Sequence, residues 1–522
     1  MMMHRWLSLS LFTAVLSAST AHAALVISHN ATKNVSCSGG VCIPTAPDAV
    51  LNTRDLTRIL RSGDLTVQTG NGDHTAAGIE ITGSFAWTNT SRLTLNAKKS
   101  VIVEARVSVA GKGGVTINYN QGKVDGELLL TGKGKIDFWD LNSSLKINGK
   151  PYVLAGDVKT LGSRMQSNRS GAFALANDYD AAQDGTYQTA VVQDGFGGML
   201  EGLGHQIANF KLKNCQQGSG FIDEVTSTAT LIENIRFADA NVVSCKANAL
   251  GVLAGFSYGT VRNVAVSGTI TISEDSRDFN SFDVGGVLGE TAGLVEASSA
   301  DVDIGCAKLA CNIDQQDYGA VGGLVGRTSK GGVIERSRSA GSITGWNNYI
   351  YAGGLAGIAD ELVTQSFSTV DVAIHGNVLY SAAGGLIASA KAVKDCYALG
   401  AAGSKKISTV GGLIGEVREN GSIARAYSTG PLRAPDGAYL GGFVGRDLKS
   451  GDLSSAYWDI DTSGVSDPSQ GAGNIANDKG ITGLTDSELK SGLPDGFDPK
   501  IWRSDPNINN GYPYLRANPP PK

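Results

Sequence analysis

Three aspartates in NDYDAAQDGTY, Asp178, Asp180 and Asp184, come nearest in this chain to a cation-binding loop. Their spacing does not match an EF-hand, and no terminal Glu closes the loop. Turn-forming aspartates that accept backbone N–H groups explain them better. Asp137 and Asp140 in KIDFWDLN invite comparison with glycosidase carboxylate pairs, which work about 5 to 10 Å apart. On a strand, residues three apart face opposite sides, so this pair should not converge. Asp459 and Asp461 in YWDIDTSG share a face but fit a turn, and Asp301 and Asp303 should face solvent together. Histidine is scarce: His29, His74, His205 and His375 each stand alone, and His205 in EGLGHQI reads as a hydrogen-bonded turn residue.

Seven cysteines follow a different logic. Cys37 and Cys42 frame SGGV, and Cys306 and Cys311 frame AKLA, so each pair closes a short loop that a disulfide can staple in an oxidising compartment. Cys215 and Cys245 are a third candidate pair. Cys396, where sister segments carry Ala or Ser, reads as a small buried hydrophobe. There is no C-x-x-C and no His beside a Cys, so no zinc site is expected. Glycine-rich boxes lack the Lys-Ser/Thr ending of a phosphate loop, and no G-x-S-x-G elbow occurs. The reading therefore assigns no catalytic, cofactor-binding or metal-binding residue.

The elements that must carry these residues are written in repeats. VGGLVGRTSKGGVIERSRSAGSITG, starting at Val321, is echoed by DVGGVLGE, YAGGLAGI, AAGGLIAS, VGGLIGEV and LGGFVGRD, with a worn copy, LGVLAGFS, upstream. The first glycines of the boxes are Gly251, Gly285, Gly322, Gly353, Gly384, Gly411 and Gly441, so successive spacings are 34, 37, 31, 31, 27 and 30 residues. That regularity predicts a solenoid with variable loops. Period-two alternation in ERSRSAGSI favours strands, and no copy has the apolar spacing of an amphipathic helix. A solenoid coil buries its inner face only by stacking on its neighbours, so like residues must recur at like places. Leu or Val in each box should form an inner ladder. The glycines should supply turn angles and close backbone approach.

These boxes resemble the GLUG repeat of exported bacterial adhesin-like proteins. SAYWDIDTSG, KGITGLTDSELKS and IWRSDPNINNGYPYLR resemble the tail that follows such arrays in filamentous-haemagglutinin-like proteins, and FGGMLEGLGHQIANFKLKN resembles their lead-in. The resemblance covers about two thirds of the chain. It implies an all-β, right-handed parallel β-helix, and the handedness comes from the resemblance alone. Fold kinship does not assign a function.

MMMHRWLSLSLFTAVLSASTAHA reads as a secretory signal peptide cleaved after Ala23. Residues 24–64 then form a cap, with a short helix over Asn52–Arg61 started by Asn52 or Thr53. Short β-branched runs at 65–148 resemble haemagglutinin-like coils of the same helix. Residues 149–195 read as a helix-and-loop insertion with a helix near Asp157–Ser167. Residues 196–458 carry the GLUG-type coils and 459–522 a tail or cap. The ending RANPPPK shows no barrel-forming strands, so a separate outer-membrane translocator is an expected partner.

Glycine is 69 of 522 residues, well above the usual share of about 7%, which suits a β protein with many tight turns. A net charge of −5 with no basic block gives no support for a nucleic-acid partner. The expected function is that of an exported, non-enzymatic, adhesin-like protein in the periplasm, at the surface or in the medium, with a glycan, matrix or cell-surface ligand. The alternatives are a polysaccharide lyase or hydrolase built on a β-helix and a purely structural spacer.

Overall fold

A computed structural model describes residues 24–521 other than 71–75, 123–124, 215–218, 245–247, 274–281, 307–318, 346–348, 376–380, 407 and 449–451. The signal segment, His74, Cys215, Cys245 and Cys311 lie outside the described residues. The chain is an all-β parallel solenoid of about 12 turns, arranged as two stacks.

In the first stack, Ile79–Ile81, Val101–Val103 and Leu128–Leu130 bury every second residue and pair in parallel, Ile79 opposite Val101 and Val101 opposite Leu128. Each rung places like side chains over like, so the core is a column of Ile, Val and Leu. Helix α1 (Thr53–Ser62) fills the place of a strand in an early coil and packs against Phe85–Trp87, the end of a three-stranded sheet that continues through Arg106–Val109 and Lys135–Phe138. Asn52 starts α1 by accepting the Arg54 N–H, and Asn89 donates to the Leu60 and Arg61 carbonyls at its other end. The Val35–Ser38/Val41–Pro44 hairpin lies at one edge, cross-linked by the Cys37–Cys42 disulfide between directly opposed residues.

The chain then reverses. Asn148 and Gly149, both with positive φ, turn Ser144–Ile147 back along Lys150–Ala155 in an antiparallel hairpin. Lys150–Ala155 pairs in parallel with Ala172–Leu175, and that strand with Met199–Glu201. Residues 149–195 are thus the beginning of a second stack rather than an insertion into one continuous coil. Helix α2 (Val158–Ser167), capped by the Asp157 carboxylate on the Thr160 N–H at 2.7 Å, buries Val158, Leu161 and Met165 over this starting coil as α1 does over the first.

A representative coil of the second stack runs through Gly319–Gly322, Val325–Thr328, Val333–Glu335 and Arg338–Thr344. The box hydrophobes Leu253, Val287, Leu324, Leu355, Leu386, Leu413 and Phe443 are fully buried and hydrogen-bonded rung to rung through the backbone. Each such side chain contributes roughly 1.5–3 kcal/mol of burial.

The box glycines serve a steric purpose. None of the seven has positive φ, so the expectation that they supply unusual turn angles is corrected. A Cβ on Gly322, Gly353 or Gly411 would lie 2.0, 2.0 or 1.9 Å from the carbonyl oxygen three residues ahead. A Cβ on the next glycine, as at Gly354, would lie 2.1 Å from the Gly385 carbonyl of the adjacent coil. The left-handed corner lies elsewhere and mostly without glycine: Asn234, Asn263, Ala297, Arg336, Gln365, Asp395, Arg425 and Ser455 have φ between 46° and 57°. Such angles cost roughly 1–2 kcal/mol for most residues, offset here by inter-coil bonds such as Ala297 N–H to the Glu335 carbonyl.

Both flanking parts of the chain dock along this corner. Phe367, Tyr397 and Tyr427 stack outside the coils, with successive ring centroids 4.7 and 5.2 Å apart and planes within 4° of parallel. The tail beyond α3 (Asp486–Lys490) covers them with Trp502, Tyr512 and Leu515. Trp502 Nε1 donates to Asp395, Tyr427 donates to the Pro513 carbonyl, and Asn518 donates to the Ser337 and Gln365 carbonyls.

Candidate functional site

The last rungs of the first stack meet the flank of the second, and there the structure joins candidates that are far apart in sequence. Arg106 pairs with Lys135 and Ser108 with Asp137 across adjacent parallel strands. Outward-facing Asp137 is nearly fully buried, held by the Arg106 guanidinium and by Ser108 Oγ at 2.8 Å. From the second stack His205 closes behind it. His205 is fully buried, its Nε2 is 3.0 Å from the Ile136 carbonyl and 3.8 Å from Asp137, and its Nδ1 is 3.3 Å from Asp178. Both ring nitrogens therefore face oxygen acceptors inside the protein, and the ring presents no atom to solvent.

Asp178 reaches the surface. Burial pushes its pKa up, but hydrogen bonds from His205, Lys135 and the Gln206 N–H, with the charge of His205, hold the carboxyl well below the usual carboxylate range. It lines a cavity of about 610 Å³ with Arg106, Lys133, Lys135, Arg236 and Glu104. Arg236 is fixed by donating to the Gly132 carbonyl at 3.2 Å. The arrangement can hold charged and hydroxyl groups of a ligand. Asp178 faces the cavity as a carboxylate held by these partners, while His205 behind it presents no atom to solvent.

The other candidates separate. Asp140 turns away from Asp137 and accepts the Asn142 N–H at 2.8 Å. Asp180 caps a short 3-10 turn through the Ala182 N–H, and Asp184 accepts from Tyr179 and Tyr187 and pairs with Lys159 at 3.2 Å. Asp459 is buried and accepts the Asp461 and Thr462 N–H groups and the Tyr512 hydroxyl. Asp301 and Asp303 lie exposed on one face. Among the described residues no group of three or more His, Cys, Asp or Glu could hold a metal ion. His29 bonds Thr53 and His375 lies beside Lys405. Cys306 is disulfide-bonded. Cys396 is a free, fully buried thiol opposite Ala426, its pKa pushed up to about 12 by burial.

Sequence reasoning weighed Asp137 only against its neighbour Asp140, expected the two not to converge, and passed over Arg106, Lys133, Lys135 and Arg236. A rung-by-rung alignment of RVSV with KIDF would have placed Arg106 beside Lys135. Nothing local signals that residues 178, 205 and 236 lie over that rung.

Behind this site the two stacks interlock. Asn234 and Asn263 bond the Leu128–Leu130 edge, and Arg336 bridges Glu127 and Glu296. Glu201 and Glu233 are buried together there. Burial and the neighbouring Glu233 charge raise Glu201, and burial raises Glu233 against the opposing charge of Arg262.

No family model matches the chain. Halomucin from Haloquadratum walsbyi is 28% identical over 272 residues, which is 48% of this chain and 3% of halomucin, so the chain spans a small fraction of the curated relative it matches. A crystal structure of a Bacteroides ovatus protein, described as a candidate immunoglobulin A1 protease, aligns over 70% of this chain and 92% of its own at 16% identity and a TM-score of 0.38.

Proposed function

We propose that this chain is an exported, non-enzymatic binding protein of the adhesin-like, GLUG-repeat class, and that the cavity between its two stacks receives the ligand. The observation that carries this reading is the contrast between the cavity and the imidazole behind it. Cations and an ionised carboxylate face outward, whereas His205, the nearest potential base, is fully buried with both nitrogens engaged. Such a surface binds without shuttling protons. Export is supported by the signal-like amino terminus and by the Cys37–Cys42 disulfide, which suits an oxidising compartment.

The second reading is a carbohydrate-active enzyme, favoured by Asp137 and Asp178 flanking one histidine. Cell fractionation with protease treatment of intact cells, together with turnover assays on neutral and acidic polysaccharides with and without calcium, separates the two. Surface or medium location without turnover supports binding. Turnover lost in Asp178→Ala or Asp137→Ala establishes the enzyme instead.

A further inference from the structure

A second cavity adjoins the Asp178 cavity at Ser84, and the two together line a basic groove. A cavity of about 580 Å³ beside α1 is lined by Arg54, Arg61, Thr57 and Ser84, and Ser84 also lines the cavity at Arg106. The combined groove crosses successive levels of the first stack, from α1 through the 82–86, 104–106 and 132–135 segments, to Arg236 of the second. Neighbouring rungs are about 4.8 Å apart, so the groove is roughly 20 Å long. One rung is close to the length of one pyranose unit, so a linear glycan laid across the strands meets like positions at each sugar.

Its charge departs from that of the chain. Six cations, Arg54, Arg61, Arg106, Lys133, Lys135 and Arg236, face two lining carboxylates, Glu104 and Asp178, with Asp137 behind, a local excess of +3 in a protein of net charge −5. Arg106 and Lys135 are already paired with Asp137 and Asp178. Among the described residues Arg54, Arg61, Lys133 and Arg236 have no carboxylate partner. Four such cations converging on one concave surface fit anions repeated along a chain. Glu104 and Asp178 stand among them as acceptors for sugar hydroxyls. Among the described residues no exposed Phe, Tyr or Trp lines either cavity: Phe85 is buried and His29 is a single exposed ring, so the run of stacking rings that anchors single-stranded nucleic acid is missing there.

We infer that this groove binds a linear acidic polysaccharide, its carboxylate or sulfate groups seated on Arg54, Arg61, Lys133 and Arg236. This rests on the binding reading of the preceding section. The test is affinity electrophoresis of the mature full-length protein in gels containing polygalacturonate, dextran sulfate or neutral dextran, with single-stranded poly(dT) as competitor. The expected result is retardation by an acidic polymer, weakened by salt, and the two acidic gels tell carboxylate from sulfate. Lys133→Glu and Arg54→Ala, both at exposed positions, should each weaken binding by roughly two- to fivefold, the worth of an exposed charge pair. Lys391→Ala, far from the groove, should change nothing. No retardation in either acidic gel, equal retardation in neutral dextran, indifference to Lys133→Glu and Arg54→Ala, or displacement by poly(dT) at lower concentration than by polygalacturonate would each overturn the inference. Chain cleavage of a bound polymer would overturn the non-enzymatic reading while leaving the groove's ligand class intact.

Discussion

The side chain of Asn234 lies against Leu130 as another strand would: its Oδ1 accepts the Leu130 N–H at 3.2 Å while its Nδ2 donates to the Leu128 carbonyl at 3.2 Å. With Asn263, whose Nδ2 donates to the Leu130 carbonyl at 3.1 Å, it closes the edge of a five-stranded sheet from another stack. Asn234 sits at a left-handed corner, where an asparagine is tolerated better than most residues. Replacing Asn234 with Ala leaves two buried backbone groups without partners. A loss of about 2 to 4 kcal/mol is expected, read from urea unfolding. A change below about 0.5 kcal/mol would show that the edge is satisfied without Asn234.

The buried carboxyls at the same junction make stability depend on pH. The folded pKa of Glu233 is raised from 4.5 to about 7 by burial, so the folded protein holds a proton that the unfolded chain has released. This contribution is complete below about pH 4.5 and is lost as pH rises towards about 7. The melting temperature of Glu233→Gln should fall less than that of the wild type across that window. Parallel melting curves for the two proteins would refute the assignment.

Box glycines should be intolerant for steric reasons. Gly354→Ala places a Cβ 2.1 Å from the Gly385 carbonyl oxygen, whereas at Gly305 the nearest atom is 3.5 Å away. The first substitution should cost about 3 kcal/mol and the second well under 1 kcal/mol, compared by thermal unfolding. Equal tolerance would remove close packing as the reason for the repeat.

The tail is a strap held by one large anchor. Trp502 is fully buried against Tyr397, Tyr427 and Phe497. Trp502→Ala removes roughly 3 to 5 kcal/mol of local packing. Limited proteolysis should then release a fragment from residues beyond 484 while the coils resist. Simultaneous loss of coils and tail would mean that the strap is part of the solenoid's cooperative unit.

Much of this molecule is written locally. Box spacing near 30 residues, period-two strands and the Leu324-type ladder fix a parallel stack because each coil must offer its neighbours the same face. Helices α1 and α2 are legible from Asn52 and Asp157 at their starts and from apolar spacing within them. The purpose of the box glycines was read only in part, because close approach and unusual φ leave the same residue in the sequence.

What only the tertiary structure decided is where the two stacks meet. The Asn148–Gly149 turn reverses the chain, and after it the polar corner residues Asn234 and Asn263, indistinguishable in sequence from ordinary turn formers, close an edge more than 100 residues upstream. That docking carries Asp178, His205 and Arg236 onto the rung of Arg106, Lys135 and Asp137. Repeats specify contacts between successive coils. The contact between stacks is made once, by unrepeated polar side chains, and so it leaves no period in the sequence to read.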